Sequence, residues 1–141
     1  MNRTVVNAFH KVSVPATAEP PKATWSNCLV VGNEIVMSGV TARKDGAAVG
    51  GASVERQTLA ILQRIAELVE AAGGGVQNIY KLVIYLTDIA FKVEVNAARA
   101  AFFKGIFPCS TLVEVKGLVF PDLLVEIDAF ANFSVDRHAR H

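Results

Sequence analysis

The sequence predicts an α+β domain in which two helices cover one face of a mixed sheet, and three features carry that expectation. Apolar residues recur at helical spacing in two stretches, Ser53 to Ala72 and Asp88 to Lys104. Strand-like runs rich in Val, Ile and aromatic residues precede, separate and follow them. Those runs carry apolar residues on both alternating sets, so the face away from the helices needs a cover, and copies of the same chain are expected to supply it.

Taken in order, Thr4 to Phe9 reads as a short edge strand because its residues are mostly β-branched or aromatic. Residues 15–22, PATAEPPK, hold three of the five prolines and cannot donate a regular hydrogen-bond ladder, so a loop or extended arm is expected. Cys28 to Val31 and Glu34 to Ser38 read as a hairpin, with Gly32-Asn33 supplying residues that tolerate a tight turn. Gly39 then marks either a bulge or a place where a ligand or another backbone comes close. Thr41 to Ala52, rich in glycine and charge, reads as an exposed loop.

The first helix aligns Val54, Ile61, Leu62, Ile65, Leu68, Val69 and Ala72, with Ser53 as N-cap and Gly73 to Gly75 as the stop. Asn78 to Thr87 should be a central strand, buried on both sides for much of its length. The second helix aligns Phe91, Val95, Ala98 and Phe102 and stops at Gly105. Phe107 to Ala131 reads as two strands joined by a turn, and the tail from about residue 134 to 141 as flexible.

With 141 residues the chain, 1–141, is expected to be a single domain able to bury a real core. Hydrophobic residues make up 52% and charged residues 19%, which again points to an oligomer. The net charge of +1 and the lack of a basic run among aromatics argue against nucleic acid as a partner. Cys28 and Cys109 sit in no CxxC spacing and read as free thiols, and no run approaches the ~20 apolar residues of a membrane span. A soluble cytoplasmic protein, with no membrane association, is expected.

The chemistry narrows by elimination. His10, His138 and His141 all lie near the chain ends, which disfavours nucleophilic triads, and no metal cluster is evident. Gly73 to Gly75 follow a helix instead of opening one, so no nucleotide cofactor is implied, and none of any other kind is expected. Glu126 interrupts an otherwise apolar run and must be solvated, paired or working. On a strand it shares a face with Asp128; it is either part of a solvated polar edge or a sheltered acid whose pKa is raised above about 4.3. Pro108, Cys109, Ser110 and Thr111 put small side chains at the mouth of a strand, and with Glu126 they read as one rim of a small-molecule site.

Six segments resemble, in order and spacing, the RidA/YjgF family of imine deaminases. They are WSNCLVVGNEIVMSG, the Gln57-containing helix ending AAGGG, IYKLVIYLTD, Val95-Asn96 followed by Phe102-Phe103, PCSTLVEVKGL, and VEIDAFA. The resemblance implies a chorismate-mutase-like fold of the bacillus type and a homotrimer with a central β-barrel, helices outside and ligand clefts between subunits. It implies binding of small keto or imino acids and release of ammonia without a cofactor. By position it assigns the site to Trp25, where the family usually has tyrosine, and to Ser38, Gly39, Asn96 and Glu126, with Cys109, Ser110 and Thr111 alongside.

One departure stands out. The family motif Pro-x-Arg-Ser/Thr reads Pro108-Cys109-Ser110-Thr111 here, and serine supplies neither the charge nor the forked geometry of an arginine on a carboxylate. Losing that pair should weaken binding of an amino-acid-derived imine by about tenfold to several hundredfold. Lys116 and Arg43 are the substitutes considered for the missing charge, although both also read as ordinary surface or loop residues. The leading expectation is therefore a divergent deaminase, acting on a small enamine or imine outside the standard 2-iminoacid activity, aminomuconate-type deamination being one such role. In it Glu126 is catalytic, and Ser110, Thr111 and backbone amides near Gly39 orient the ligand. The alternatives are a non-catalytic trimer that binds a small metabolite and, more weakly, an endoribonuclease-like activity.

Overall fold

The computed structural model describes residues 9–139; residues 4–8 of the expected first strand lie outside the described residues. The strands are β1 (Phe9–Lys11), β2 (Cys28–Val31), β3 (Glu34–Met37), β4 (Val40–Thr41), β5 (Arg43–Lys44), β6 (Ala47–Ala48), β7 (Ile79–Leu86), β8 (Cys109–Glu114) and β9 (Val125–Asn132). The helices are α1 (Val54–Ala71) and α2 (Lys92–Phe102). The main sheet runs β1-β2-β3-β9-β7-β8, with β4 also on β9. β7 and β8 are parallel while the neighbouring pairs are antiparallel, so the sheet is mixed, as expected.

Helix α1 begins where Ser53 Oγ accepts the Arg56 N–H at 3.2 Å, and it ends at Gly73, whose φ of 100° suits glycine. Its buried stripe includes Ile61, Leu62, Ile65 and Val69; α1 packs on β9, and α2 lies against α1. Strand alternation divides β9 cleanly. Val125, Ile127, Ala129 and Ala131 are buried toward the helices, and Glu126, Asp128, Phe130 and Asn132 turn the other way. On that second face Val36, Val113 and Phe130 remain 47%, 39% and 39% exposed. β7 is thus buried on its helix side through Leu82, Ile84 and Leu86, while Val83 and Tyr85 are only half-buried.

The stretch from Phe107 to Ala131 corrects the expected pair of strands joined by a turn, because β7 lies between β8 and β9. β8 runs parallel to β7 and ends beside Leu86, where β9 begins antiparallel to it. The connection arches over the end of β7. It is pinned on one side by the Val115 N–H to the Leu86 carbonyl (2.8 Å) and on the other by the Thr87 N–H to the Leu124 carbonyl (3.1 Å). Gln57, fully buried on α1, fixes the descent into β9: Nε2 donates to the carbonyls of Gly51 (2.7 Å) and Asp122 (3.0 Å), and Oε1 accepts the Leu124 N–H (3.0 Å).

The β2–β3 hairpin forms as expected, with Gly32 at φ 61°. The expected loop from Thr41 to Ala52 instead contributes β4 and a small β5–β6 hairpin turned by Asp45-Gly46, both at positive φ (51° and 83°), the pattern of a type I′ turn. The expected flexible tail is tied to the body of the chain at Arg137. The Arg137 N–H donates to the Gln77 carbonyl (3.1 Å), and the buried guanidinium reaches the carbonyls of Val76 (2.9 Å) and Ile106 and lies 5.1 Å from the centroid of the Phe103 ring. A buried arginine that donates to backbone carbonyls from two other segments has an enthalpic reason to stay ordered.

Candidate active site

Glu126 sits between Thr41 on β4 and Tyr85 on β7. Its approach is shaped by a break in strand pairing. Val36 pairs with Phe130 and Val40 with Ile127, so Met37, Ser38 and Gly39 face only Asp128 and Ala129. That extra residue is a β-bulge. It brings the backbone so close that a Cβ on Gly39 would lie 2.6 Å from Glu126 Oε2 and 3.1 Å from Asp128 Oδ1. The bulge reading of Gly39 holds, and what comes close to it in this chain is the Glu126 carboxylate.

Burial, followed by the neighbouring Asp128 carboxylate, pushes the Glu126 pKa up. The Tyr85 hydroxyl donates to Asp128 Oδ2 at 2.8 Å, which raises the phenol's own pKa. Glu126 therefore keeps a proton to higher pH than a solvated glutamate, a property useful to a proton donor near neutrality.

A cavity of about 750 Å³ opens at Glu126, bounded by Trp25, Ser38, Gly39, Thr41, Arg43, Arg64, Phe120 and the arm from Pro15 to Pro20. Trp25 is 50% exposed and its Nε1 donates to Asn27 Oδ1 (3.0 Å), leaving its broad face free. Asn27 in turn holds the arm, donating from Nδ2 to the Thr17 carbonyl and from its backbone N–H to Glu19 Oε2 (3.2 Å). Ser38 Oγ donates to the Ser26 carbonyl (2.7 Å), so it offers the cavity an acceptor oxygen. Arg43 is already engaged: it donates to Asp122 Oδ1 (2.8 Å) and lies 3.8 Å above the Phe120 ring. Arg64 Nη1 bridges the carbonyls of Thr41 and Arg43, both at 2.6 Å, and so ties α1 to the floor beside Glu126.

Within a single chain the sheet register sets Ser110 and Glu126 on opposite faces. Ser110 pairs with Leu82, a helix-side residue, whereas Glu126 points to the opposite face. Ser110 and Asn96 line a second cavity of about 210 Å³ with Leu82, Arg99, Ala100, Phe103, Phe107 and Pro108. Cys109 and Thr111 alternate onto the bare sheet face beside Lys81 and Val83 and are exposed. Lys116 lines neither cavity. Among the described residues no group of three or more His, Cys, Asp or Glu is placed to hold a metal ion.

Arg99 was not among the residues expected. It stands three positions after Asn96 on the same helix face, a spacing that brings side chains together and was the available signal. The burial of Gln57 had none beyond its place on an apolar face.

Comparison with known proteins agrees with this architecture. The family model described as Endoribonuclease L-PSP matches residues 16–133. A RutC family protein from Pyrococcus horikoshii is 31% identical over 116 residues, spanning 81% of this chain and 90% of that protein. The crystal structure of a Pseudomonas aeruginosa protein of unknown function superposes with a TM-score of 0.88 at 46% identity, covering 95% of this chain and 99% of that one. A Mycobacterium tuberculosis member of the YjgF/YER057c/UK114 family superposes at 0.69 with 33% identity, covering 77% of this chain and 86% of that one.

Proposed function

Because the chain belongs to the endoribonuclease L-PSP family, the group of the RidA/YjgF proteins, we propose that it hydrolyses a small imine or enamine, releasing ammonia, with Glu126 as the proton-transfer group. The observation that supports this most is a half-buried acid with a raised pKa at the wall of an open cavity, pressed against a glycine.

The reaction balances without a cofactor. Protonated Glu126 delivers its proton to the imine nitrogen or, for an enamine, first to the carbon that becomes the imine's neighbour. The resulting carboxylate accepts a proton from the water that attacks the C=N carbon. Glu126, protonated again, passes its proton to the amino nitrogen, the C–N bond breaks as ammonia leaves, and the hydroxyl proton returns to the Glu126 carboxylate as the carbonyl forms.

The working assembly in this proposal is a homotrimer of chorismate-mutase-like subunits whose bare sheet faces meet around a central barrel. The exposed Val36, Val113 and Phe130 support it, since burying them removes apolar surface from water. Such an assembly gives the residues that line separate cavities in one protomer a seam at which to meet. With Ser110 in the motif position of an arginine, the ligand is proposed to differ from the small 2-imino acids.

The test is ammonia release from freshly generated imines and enamines. Wild type should accelerate it, and Glu126→Gln should lose about 10² to 10⁴-fold, the span of general acid–base catalysis. Equal rates for the two proteins would refute the role of Glu126.

A further inference from the structure

The smaller cavity holds a charge that its sequence motif lacks. From α2, Arg99 reaches β8, where Nη1 donates to Ser110 Oγ at 2.7 Å, and Nη2 lies 3.5 Å from Asn96 Oδ1. These contacts engage at most two of the five N–H donors of a guanidinium. Among the described residues no carboxylate lies within ion-pairing distance of it. Burial lowers its pKa from the ordinary arginine value, yet arginine stays cationic at any physiological pH. A half-buried cation without a counter-charge marks a place where an anion is favoured.

The surroundings define which anion. Phe103, Phe107 and Pro108 wall the cavity, and its volume of about 210 Å³ suits one ring or a short branched chain. A phosphate dianion calls for several donors and a wet site. A single guanidinium against apolar walls suits a planar monoanion at the end of an apolar body. Ser110 adds a donor: because its oxygen accepts from Arg99, its own O–H proton is free for a second ligand oxygen.

We propose that Arg99, oriented by Ser110 and Asn96, recognises the carboxylate of a ligand whose apolar body packs against Phe103 and Phe107. The charge absent from position 110 is thereby delivered from the helix, beside the apolar wall of Phe103 and Phe107. This rests on the reading of the chain as a deaminase only in taking the bound carboxylate to be the anionic end of its substrate.

Benzoate and benzamide, equal in shape and different in charge, are the probes, titrated into the full chain by calorimetry. Wild type should bind benzoate at least tenfold more tightly than benzamide. Arg99→Gln should erase that preference, Arg99→Lys should keep part of it, and Ser110→Ala should weaken benzoate several-fold. Thermal melting of each variant checks that it is folded. Equal affinity of wild type for the two probes, no binding of either, or a full preference surviving in Arg99→Gln would overturn the proposal. Ammonia release separates the two readings. If imines are hydrolysed with no Arg99-dependent carboxylate preference, this inference fails alone. If Arg99 governs carboxylate binding while no imine is hydrolysed, the deaminase reading fails alone.

Discussion

Replacing Gly39 by alanine tests the site at its tightest point. The new Cβ would stand 2.6 Å from Glu126 Oε2, about 0.8 Å short of the 3.4 Å at which ordinary contact begins, and 3.1 Å from Asp128 Oδ1. The φ of Gly39 lies outside the left-handed region, so alanine brings no backbone strain there, and the unfolded chain loses some entropy. The atom that must yield most is the far end of a side chain. Stability should therefore change by no more than about 1 kcal/mol, roughly 2–4 °C in Tm for a domain of this size. Function should not be so tolerant. Misplacing a reacting group by about 1 Å costs on the order of 10²-fold, or about 2.7 kcal/mol of barrier. Ammonia release should fall accordingly while the melt barely moves. Carbon NMR titration of the Glu126 carboxyl supplies a second readout: displaced toward water, it should titrate closer to the ordinary value of about 4.3. An unchanged rate and titration would refute the idea that Gly39 seats the acid. Unfolding of the variant would show that the close approach is held by backbone and not by the carboxylate's free end.

Other outcomes follow from the same geometry. The raised pKa of Glu126 means the folded state holds a proton that the unfolded chain releases near pH 4.3. The stability it contributes is complete below that pH and is lost as pH rises through the folded value, so Glu126→Gln should gain on wild type in urea unfolding at about pH 8 relative to about pH 4; parallel pH profiles would exclude the shift. Gln57→Leu leaves the Gly51 and Asp122 carbonyls and the Leu124 N–H without their partner and should cost about 3 kcal/mol or more; a loss below about 1 kcal/mol would show that the clamp is dispensable. Arg137→Ala should lower stability by about 2–3 kcal/mol and the melting temperature by about 4–12 °C, against no change if the tail were loose. Phe130→Glu, placing a charge in the bare sheet face, should convert the proposed trimer to monomers in sedimentation velocity, and an unaltered assembly would place the contact elsewhere.

What was legible in the sequence is what local physics decides. The α1 boundaries follow from one capping serine and a glycine stop, and the β2–β3 turn from Gly32, because each depends on neighbours a few residues away. The β5–β6 hairpin was equally legible in principle, since Asp45-Gly46 is a strong turn pair; the charge around it drew the reading toward a loop. The order of β8, β7 and β9 was not. Strand pairing is a long-range choice, and two strands adjacent in sequence accept a third between them when the link can arch over its end. Nor did the tail's charged composition betray its docking, because the carbonyls that Arg137 satisfies lie 31 and 61 positions away.

The site shows the same division in sharper form. Glu126 was legible as a charge in an apolar strand, and Gly39 as a residue without a side chain at a strand end, since each is anomalous in its own neighbourhood. The motif along β8 lacks its cation at Ser110, and Arg43 and Lys116 are the replacements that the sequence alone offers. A binding site, however, sums the charges of every element around it. Ser110 faces the helix layer through its pairing with Leu82, so the residue that answers it must come from α2, and Arg99 stands within hydrogen-bond reach there. Arg43 is spent on Asp122 and Lys116 lines neither cavity. Strand parity is thus the deciding constraint: had Ser110 shared the face of Glu126, the guanidinium on α2 would lie behind the sheet and be useless to it. Ser110→Arg consequently should not act as a simple repair. It would set two guanidinium groups within a few ångströms, and their repulsion should weaken benzoate binding or displace Arg99; a strong additive gain in benzoate affinity would show that position 110 reaches a different site from the one Arg99 serves.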